Sequence, residues 1–260
     1  GAYFYCDGAN FNAIVGRVRP GDLGVDAMHI NLHKTFSTPH GGGGPGAGPV
    51  VLSEALAPFA PAPWVVNTGD GYKLVEREED EAEQAFGRLC AFQGQMGMYV
   101  RALSYMMSHG SDGLRQVAED AVLNANYIKA RLEDLMSPAF PDGPCMHEAL
   151  FDDEWLKGTD VTTLDFAKAM IDEGFHPMTM YFPLVVHGAM LIEPTETESK
   201  AELDRFIHAM RLLAEAAKAG DVERFKGAPF HAPLRRLDET RAARSPRLRW
   251  AAPEGSNRAG

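Results

Sequence analysis

Apolar runs divide the chain into a strand-rich beginning and a mixed second part. Extended segments at about 2–6, 26–32 and 49–52 predict strands, because each is short and lies between connections that contain glycine or proline. The first of them, with its close-set aromatic residues, is predicted to be a buried strand. Residues 1 to about 60 are therefore interpreted as the end of an α/β sheet, and the proline-rich stretch at 57–66 as a crossing segment.

Apolar residues at spacings of three and four predict helices in the rest of the chain. One helix is predicted from Asp80 to about His109, and a long amphipathic one over 111–136. Ser199 and Glu202 have the spacing of a capping box, which predicts a final helix from about Glu198 to Ala217. Between these helices the pattern predicts a strand around His147–Phe151, a helix around Thr163–Glu173, and strands around Met178–Phe182 and Val185–Glu193.

These elements suggest three segments. Residues 1–109 form the sheet with its connecting helices, 110–220 a small α+β domain, and 221–260 a basic tail. From Arg224 onward there are nine Lys or Arg residues against three acidic ones. Such a tail either docks on an acidic surface of this or another subunit or remains solvated, and the sequence leaves both open.

Composition narrows the class of protein. With 260 residues, 45% hydrophobic and 23% charged, the chain is expected to fold as a globular protein. A net charge of −11 argues against nucleic acid as a partner. The three cysteines are widely spaced and include no C-x-x-C pair, so neither a metal site nor a disulfide framework is expected. A reducing, cytoplasmic location is expected instead. No run is long enough for a membrane helix.

Lys34 is the candidate for chemistry. It lies just past the predicted strand at 26–32, where an α/β sheet presents side chains to a ligand crevice. A lysine desolvated there can lose its proton and form a Schiff base with a carbonyl. Pyridoxal phosphate is the commonest cofactor held in this way, and it needs an acid opposite its ring nitrogen.

Asp7 is the candidate acid, because it ends the first predicted strand. Period-two geometry places Ala9 on the same side, where its methyl group could pack on the ring, and Asn10 could bond the phenolic oxygen. Asn31 and His33 flank the lysine and are candidates for contacts with the phosphate. The glycine run at 41–44 has no side chains to obstruct a substrate.

Two motifs carry a family resemblance. YxDGANxNAI at 5–14, followed by NLHKTFxxPHGGGGPG at 31–46, resembles the glycine-cleavage P-protein family of pyridoxal-phosphate-dependent glycine decarboxylases, and within it the second (beta) subunit of the two-chain form. The resemblance continues through 108–132, 181–206 and 234–250, so it covers nearly the whole chain.

The resemblance implies a fold-type-I pyridoxal-phosphate enzyme of the oxidoreductase class. It decarboxylates glycine and passes the aminomethyl group to the lipoyl arm of the H carrier protein, in a hetero-oligomer with the alpha-type subunit 1. On the family pattern Lys34 matches the Schiff-base lysine and Asp7 the partner of the ring nitrogen, while Asn31 and His33 match the positions beside the lysine. The glycine run would border the substrate channel.

Other interpretations remain. The chain could be another fold-type-I enzyme, such as an amino-acid decarboxylase or a desulfurase, or a polypeptide of this family without catalytic activity. Family members carry several hundred residues before this start, including the group that stacks on the cofactor and much of the phosphate cup. We therefore expect the chain alone to bind pyridoxal phosphate weakly at best.

Overall fold

The first three strands form one sheet. In a computed structural model, which describes residues 1–42, 44–76, 84–89 and 94–251, they are β1 (Tyr5–Gly8), β2 (Ala27–Ile30) and β3 (Val50–Leu52). The strand order is β1-β2-β3. β1 runs parallel to β2, and β3 is antiparallel to it. The predicted α/β sheet is confirmed, with the carboxyl ends of β1 and β2 at the same edge.

The prediction of a buried strand at 2–6 is wrong in position and in burial. The strand begins at Tyr5, and the side chains of Tyr3, Phe4 and Tyr5 are all exposed. The physical reason is that β1 is an edge strand in a sheet of three. Met28, on the central strand β2, is buried instead.

A β-hairpin occupies part of the predicted crossing segment. β4 (Trp64–Asn67) pairs antiparallel with β5 (Tyr72–Val75), and the turn is closed by a hydrogen bond from Thr68 N to Gly71 O of 2.9 Å. The interpretation of 57–66 as a simple connection missed this pair. Its signal was present, because two short runs of β-branched and aromatic residues flank a turn sequence containing Gly69 and Gly71.

The longest helix, α2, spans Met96–Leu132. It is sharply bent at Gly110, where φ is 64° and ψ is −174°. The helix predicted over 111–136 is confirmed as far as Leu132. The helix predicted from Asp80 is wrong at 84–89, which are not helical, and the stretches 77–83 and 90–93 lie outside the described residues.

A small apolar core fixes the short helix α1 (Leu32–Thr35) that follows β2. Leu32 and Phe36 are buried together with Val15, Ala102 and residues of the second half of α2. The backbone is held as well, since Phe36 N donates to Leu32 O at 3.1 Å. Lys34 therefore sits on a turn whose two apolar neighbours are anchored.

The remaining elements are α-helices and a second sheet. The sheet contains β6 (Ala149–Phe151), β7 (Thr179–Met180) and β8 (Met190–Ile192) in the order β6-β8-β7, and the helices are α3 (Thr163–Asp172), α4 (Lys200–Lys218), α5 (Val222–Lys226) and α6 (Glu239–Arg244). The predicted helices here are confirmed. The strands are shorter than predicted, because Tyr181 and Gly188 adopt positive φ angles of 58° and 56° that interrupt extended backbone. Among the described helices, none has the length and apolar character to cross a bilayer.

The chain forms two compact units. The first comprises Gly1–Arg131, Asp142–Ala149 and Ile192–Leu203, and the second Leu132–Pro141, Leu150–Leu191 and Asp204–Gly260. The domain boundaries predicted at 109/110 and 220/221 stay a prediction.

The start of the basic tail is docked within the second unit. The Arg236 guanidinium donates to Phe225 O at 2.7 Å and Ala228 O at 2.9 Å, and it pairs with Asp165 Oδ1 at 2.7 Å. Asp165 is buried at the first turn of α3, where it forms a capping box with Thr162.

Candidate active site

Lys34 and Asp7 come from neighbouring parallel strands. β2 ends at Ile30, and α1 begins two residues later, so Lys34 follows the carboxyl end of β2 as the sequence predicts. Asp7 lies on β1 directly opposite His29 of β2. The Lys34 side chain is exposed in this structure, so the desolvation expected of a nucleophilic lysine is not provided by the residues described here.

The Asp7 carboxylate is held at one oxygen and open at the other. Oδ1 accepts a hydrogen bond from Ala9 N at 2.9 Å and lies 3.2 Å from His29 Nε2. Among the residues that the structure describes, none bonds Oδ2. The side chain is 74% exposed, so Oδ2 is available to a donor from outside the chain.

His29 was not predicted as a site residue. Its Nδ1 lies 2.5 Å from the Tyr5 hydroxyl, and the two rings stack with centroids 5.9 Å apart. Tyr5 and His29 are thus hydrogen-bonded across two strands, and His29 Nε2 lies within ion-pair distance of Asp7 Oδ1. The period-two spacing of Tyr5 and Asp7 was visible in the sequence, but the register that brings His29 opposite Asp7 was not.

Glu193 anchors the loop that follows β1. Its Oε1 accepts from Asn10 Nδ2 and from Asn12 Nδ2, both at 2.8 Å. Asn10 Oδ1 in turn accepts from Asn12 N at 3.0 Å, and Phe11 N donates to Thr35 Oγ1 at 2.9 Å. Asn10 therefore holds the structure of this loop. Its contact with a cofactor stays a prediction, and the second N–H of its side-chain amide would have to make that contact.

His33 carries an orphan buried atom. Its Nδ1 is buried without a hydrogen-bond partner among the described residues, and its ring meets that of His40 edge-on at a centroid distance of 4.5 Å. Burial lowers the pKa of His33, and His40 and Lys34 lower it further. A neutral imidazole beside Lys34 is thus favoured, with one nitrogen available for a ligand. Asn31 precedes α1, but its side chain does not cap that helix.

The glycine run has a backbone that requires glycine at Gly41. Its φ is 65°, and a Cβ placed there would lie 2.0 Å from the Gly44 carbonyl oxygen. Gly43 lies outside the described residues. A role for this loop in admitting substrate stays a prediction.

A second polar cluster lies near Lys34 and was missed by the sequence interpretation. The ligand atoms of His147, Glu148 and Glu193 lie within 4.8 Å of one another. Both ring nitrogens of His147 are buried without a hydrogen-bond partner among the described residues. The pKa of Glu148 is raised, chiefly by burial. The charge of Glu193 also raises it, whereas His147 and Lys34 act to lower it. Because the charge of Lys34 affects the pKa of Glu148, the two side chains lie within electrostatic range of each other.

Sequence comparisons show which proteins the chain resembles. Residues 117–233 match the family model described as glycine dehydrogenase, C-terminal domain. The chain is 84% identical over 251 residues to the probable glycine dehydrogenase (decarboxylating) subunit 2 of Caulobacter vibrioides, covering 96% of this chain and 48% of the relative. The chain is thus similar to subunit 2 proteins of glycine dehydrogenase. Subunit 2 proteins of Kosmotoga olearia and Methylococcus capsulatus are 50% and 52% identical, again over 96% of this chain and 51% of each relative.

The chain spans about half the length of these curated relatives. Among solved structures it resembles a glycine decarboxylase (P-protein) in inhibitor-bound form, with a TM-score of 0.65 at 20% identity, covering 82% of this chain and 48% of that one. It also resembles a cysteine desulfurase from Thermococcus onnurineus (TM-score 0.60, 17% identity, 83% of this chain and 53% of that one). These likenesses confirm the fold-type-I α/β fold.

Proposed function

We propose that this chain supplies the lysine-bearing part of the active site of a glycine decarboxylase. Lys34 Nζ would hold pyridoxal phosphate through its aldehyde carbon, and the Asp7 carboxylate would accept a hydrogen bond from the protonated ring nitrogen. The observation that carries the proposal is the placement of Asp7 and Lys34 at the carboxyl ends of adjacent parallel strands. The similarity to subunit 2 proteins supports glycine as the substrate.

The residues present fit this cofactor. Asp7 offers an exposed carboxylate and Lys34 an exposed amine, and His33 has a buried nitrogen that meets no hydrogen-bond partner in the described part of the chain. Ala9 is fixed beside Asp7 through its own N–H, and Asn10, Asn31 and His33 remain proposed as further contacts. When bound, pyridoxal phosphate supplies an electron sink for the carbanion that decarboxylation leaves. The role of this chain would be to orient the ring, and the role of Asp7 would be to keep the ring nitrogen protonated.

The similarity to subunit 2 proteins also supports a proposal for the partners. We propose glycine as substrate, the lipoyl arm of the H carrier protein as acceptor of the aminomethyl group, and the alpha-type subunit 1 as the other chain of a hetero-oligomer. The fold alone leaves other reactions open, since a glutamate decarboxylase from Lactobacillus brevis is also similar (TM-score 0.58, 16% identity, 83% of this chain and 47% of that one). The 84% identity to a subunit 2 protein favours the glycine reaction over these.

The test is exchange of labelled bicarbonate into the carboxyl group of glycine. It is measured in a chain of the relatives' full length that carries this sequence, with subunit 1 and the lipoyl carrier present. Asp7→Asn keeps the shape of the side chain and removes its charge, so the exchange rate should fall on the order of a thousandfold while cofactor is retained.

Asp22→Asn is the matched control. Asp22 is exposed and pairs only loosely with Arg19, at 3.8 Å, so its rate should equal that of the unmodified enzyme. Equal rates for Asp7→Asn and the unmodified enzyme would remove Asp7 from the site. An unmodified enzyme without exchange would overturn the proposed function.

A further inference from the structure

His147 is a buried residue whose polar atoms are unsatisfied. It is 9% exposed, and neither Nδ1 nor Nε2 meets a hydrogen-bond partner in the described part of the chain. Buried polar atoms in folded proteins nearly always have a partner, and an ion or a water molecule is the usual one where the protein supplies none. The imidazole therefore points to a bound group that is not part of the chain.

Nε2 of this ring faces two carboxylates. It lies 3.9 Å from Glu148 Oε2 and 4.0 Å from Glu193 Oε1. These separations are too long for hydrogen bonds, but they suit an ion between the atoms, because two ligands at about 2.1 Å from one metal ion are up to about 4.2 Å apart. One ligand atom from each residue lies within 4.8 Å of the others, and a pair that wide would have to close by about 0.6 Å.

The Glu193 carboxylate is already oriented by the loop that follows β1. Its Oε1 accepts hydrogen bonds from Asn10 Nδ2 and Asn12 Nδ2, both at 2.8 Å. Carboxylates that bind metal ions receive such bonds, which fix the direction in which they face the ion. The three candidate ligands and the two asparagines all belong to the first compact unit. A cation bound here would connect the residues just before β6 and just after β8 to this loop.

The ligand types indicate the class of ion. Two ionised carboxylates beside a neutral imidazole favour a divalent cation, which balances their charge. The imidazole nitrogen favours a transition metal over Mg²⁺ or Ca²⁺, which prefer oxygen ligands. Zn²⁺ commonly combines three protein ligands of these types with a water molecule.

We propose that His147 Nε2 and the carboxylates of Glu148 and Glu193 bind a divalent transition-metal ion such as Zn²⁺. The ion has a structural role, since it holds the anchor of the loop after β1. The site is independent of the proposed function, because ion binding is measured without cofactor, glycine or subunit 1.

An ordered water molecule is the competing explanation for the unsatisfied imidazole. A buried water commonly makes about three hydrogen bonds, and the same three side chains could supply them. Transition metals would then bind only where an imidazole and a carboxylate meet on the surface. His187 Nδ1 and Asp153 Oδ1 form such a pair, 2.8 Å apart, and the His187 side chain is 91% exposed. His187→Ala is therefore the matched control.

The first measurement is calorimetric titration of the 260-residue chain with Zn²⁺ at pH 7, after treatment with a chelator, with Mg²⁺ as the comparison. One Zn²⁺ site is expected, with Mg²⁺ bound at least about tenfold more weakly. Glu148→Gln keeps the shape of the side chain and should weaken Zn²⁺ binding by about tenfold or more. His147→Leu should abolish the site, and His187→Ala should leave it unchanged. An unmodified chain that binds no Zn²⁺, or equal affinity in all four proteins, would overturn the proposal.

Thermal unfolding followed by circular dichroism separates loss of a ligand from loss of the fold. At a Zn²⁺ concentration of about one hundred times the dissociation constant, the midpoint should rise by about 5–10 °C in the unmodified chain and in His187→Ala. In His147→Leu the transition should stay cooperative, and Zn²⁺ should not move it. If His147→Leu does not fold, Glu148→Gln decides, because the Glu148 side chain is 34% exposed. An equal rise in Glu148→Gln and the unmodified chain would contradict the site.

Hydrogen exchange tests the structural role. Peptides that cover residues 9–14 should exchange more slowly when Zn²⁺ is added to the unmodified chain, because the ion fixes the acceptor of Asn10 and Asn12. In Glu148→Gln the same amount of Zn²⁺ should have little effect on these peptides. Exchange in the unmodified chain that does not respond to bound Zn²⁺ would overturn the link between the ion and the loop.

Discussion

Lys34 is held where a nucleophile is useful, since Leu32 and Phe36 on either side of it are buried while its own side chain is exposed. Its neighbour His33 is favoured in the neutral form, because burial and then His40 and Lys34 itself lower its pKa. A neutral His33 adds no positive charge next to Lys34.

Covalent capture tests this assignment. After incubation with pyridoxal phosphate and reduction with borohydride, peptide mapping should find the phosphopyridoxyl group on Lys34. The reason is that Lys34 follows a central strand beside an acid that suits the ring nitrogen. Lys73 is the internal control, because it is exposed on the hairpin strand β5, outside the sheet that carries Asp7. Label on Lys73 in equal yield would show that reaction follows exposure alone.

The sequence was sufficient to predict that Lys34 follows a strand and that Asp7 lies near the end of one, because both belong to dense motifs beside recognisable strands. Their roles at a cofactor stay a prediction. The sequence was not sufficient for His29 or Glu193. His29 becomes relevant only through the strand register that sets it opposite Asp7, and Glu193 meets Asn10 and Asn12 from a distant part of the chain. Neither relation leaves a local pattern, since each is created by tertiary pairing.

Among the elements, α2 depends on a single unusual backbone conformation. Gly110 combines φ 64° with ψ −174°, a region that residues with a Cβ rarely enter. Gly110→Ala should lower the free energy of unfolding by about 1–3 kcal/mol. Gly97→Ala, in the first turn of the same helix, meets no atom within 4 Å and should instead stabilise by about 0.5 kcal/mol. Urea denaturation followed by circular dichroism measures both, and equal effects would contradict this account of the bend.

Helix α3 begins with a charge that makes stability depend on pH. Burial would raise the pKa of Asp165, but hydrogen bonds from Lys226, Thr162 and Arg236 lower it to about 2 from an ordinary 3.8. The group therefore contributes stability that is complete above about pH 4 and is lost as the pH falls through about 2. The contribution at neutral pH is about 2 kcal/mol.

Asp165→Asn checks this contribution. The variant should lose about 2 kcal/mol or more of unfolding free energy at pH 7, since Lys226 and Arg236 lose their partner, and the difference from the unmodified chain should shrink as the pH falls from 4 to 2. Denaturation series across this range give the result. A difference that stays constant with pH would show that Asp165 is not ionised in the folded chain.

Prediction at the level of elements was uneven for physical reasons. Long amphipathic helices such as α4 were found because their periodicity persists over several turns. The hairpin of β4 and β5 was overlooked because prolines before it indicated a connection. β1 was expected to be buried because it is aromatic, yet burial depends on which strands lie beside it.

The whole chain has a net charge of −11, and its C-terminal tail is basic. Arg236, at the start of this tail, contacts the acidic side chain of Asp165 in the same chain. The contact of Arg236 with Asp165 favours docking over full solvation for the start of the tail. The arginines beyond α5 differ accordingly, because Arg236 is bonded to three acceptors while Arg247 and Arg249 are exposed.

Limited proteolysis with trypsin tests whether the chain is less accessible at Arg236 than at Arg247 and Arg249. Cleavage after Arg247 and Arg249 should be about tenfold faster than cleavage after Arg236, because a protease needs a locally open segment. In Asp165→Asn, cleavage after Arg236 should accelerate, and cleavage after Arg249 should stay as it was. Mass spectrometry of timed samples gives the order, and early cleavage after Arg236 in the unmodified chain would contradict the docking.

The anchoring of Asn10 and Asn12 by Glu193 has a consequence for biosynthesis. A ribosome adds about 5 to 20 residues per second, so Glu193 is made roughly 10 to 40 s after the loop that it holds. During this interval the loop next to Asp7 lacks its acceptor, while β1 and β2 are already available to pair. A nascent chain can thus have its sheet before the loop beside Asp7 is held. On the proposed function, capture of the cofactor would then be one of the last events in its maturation.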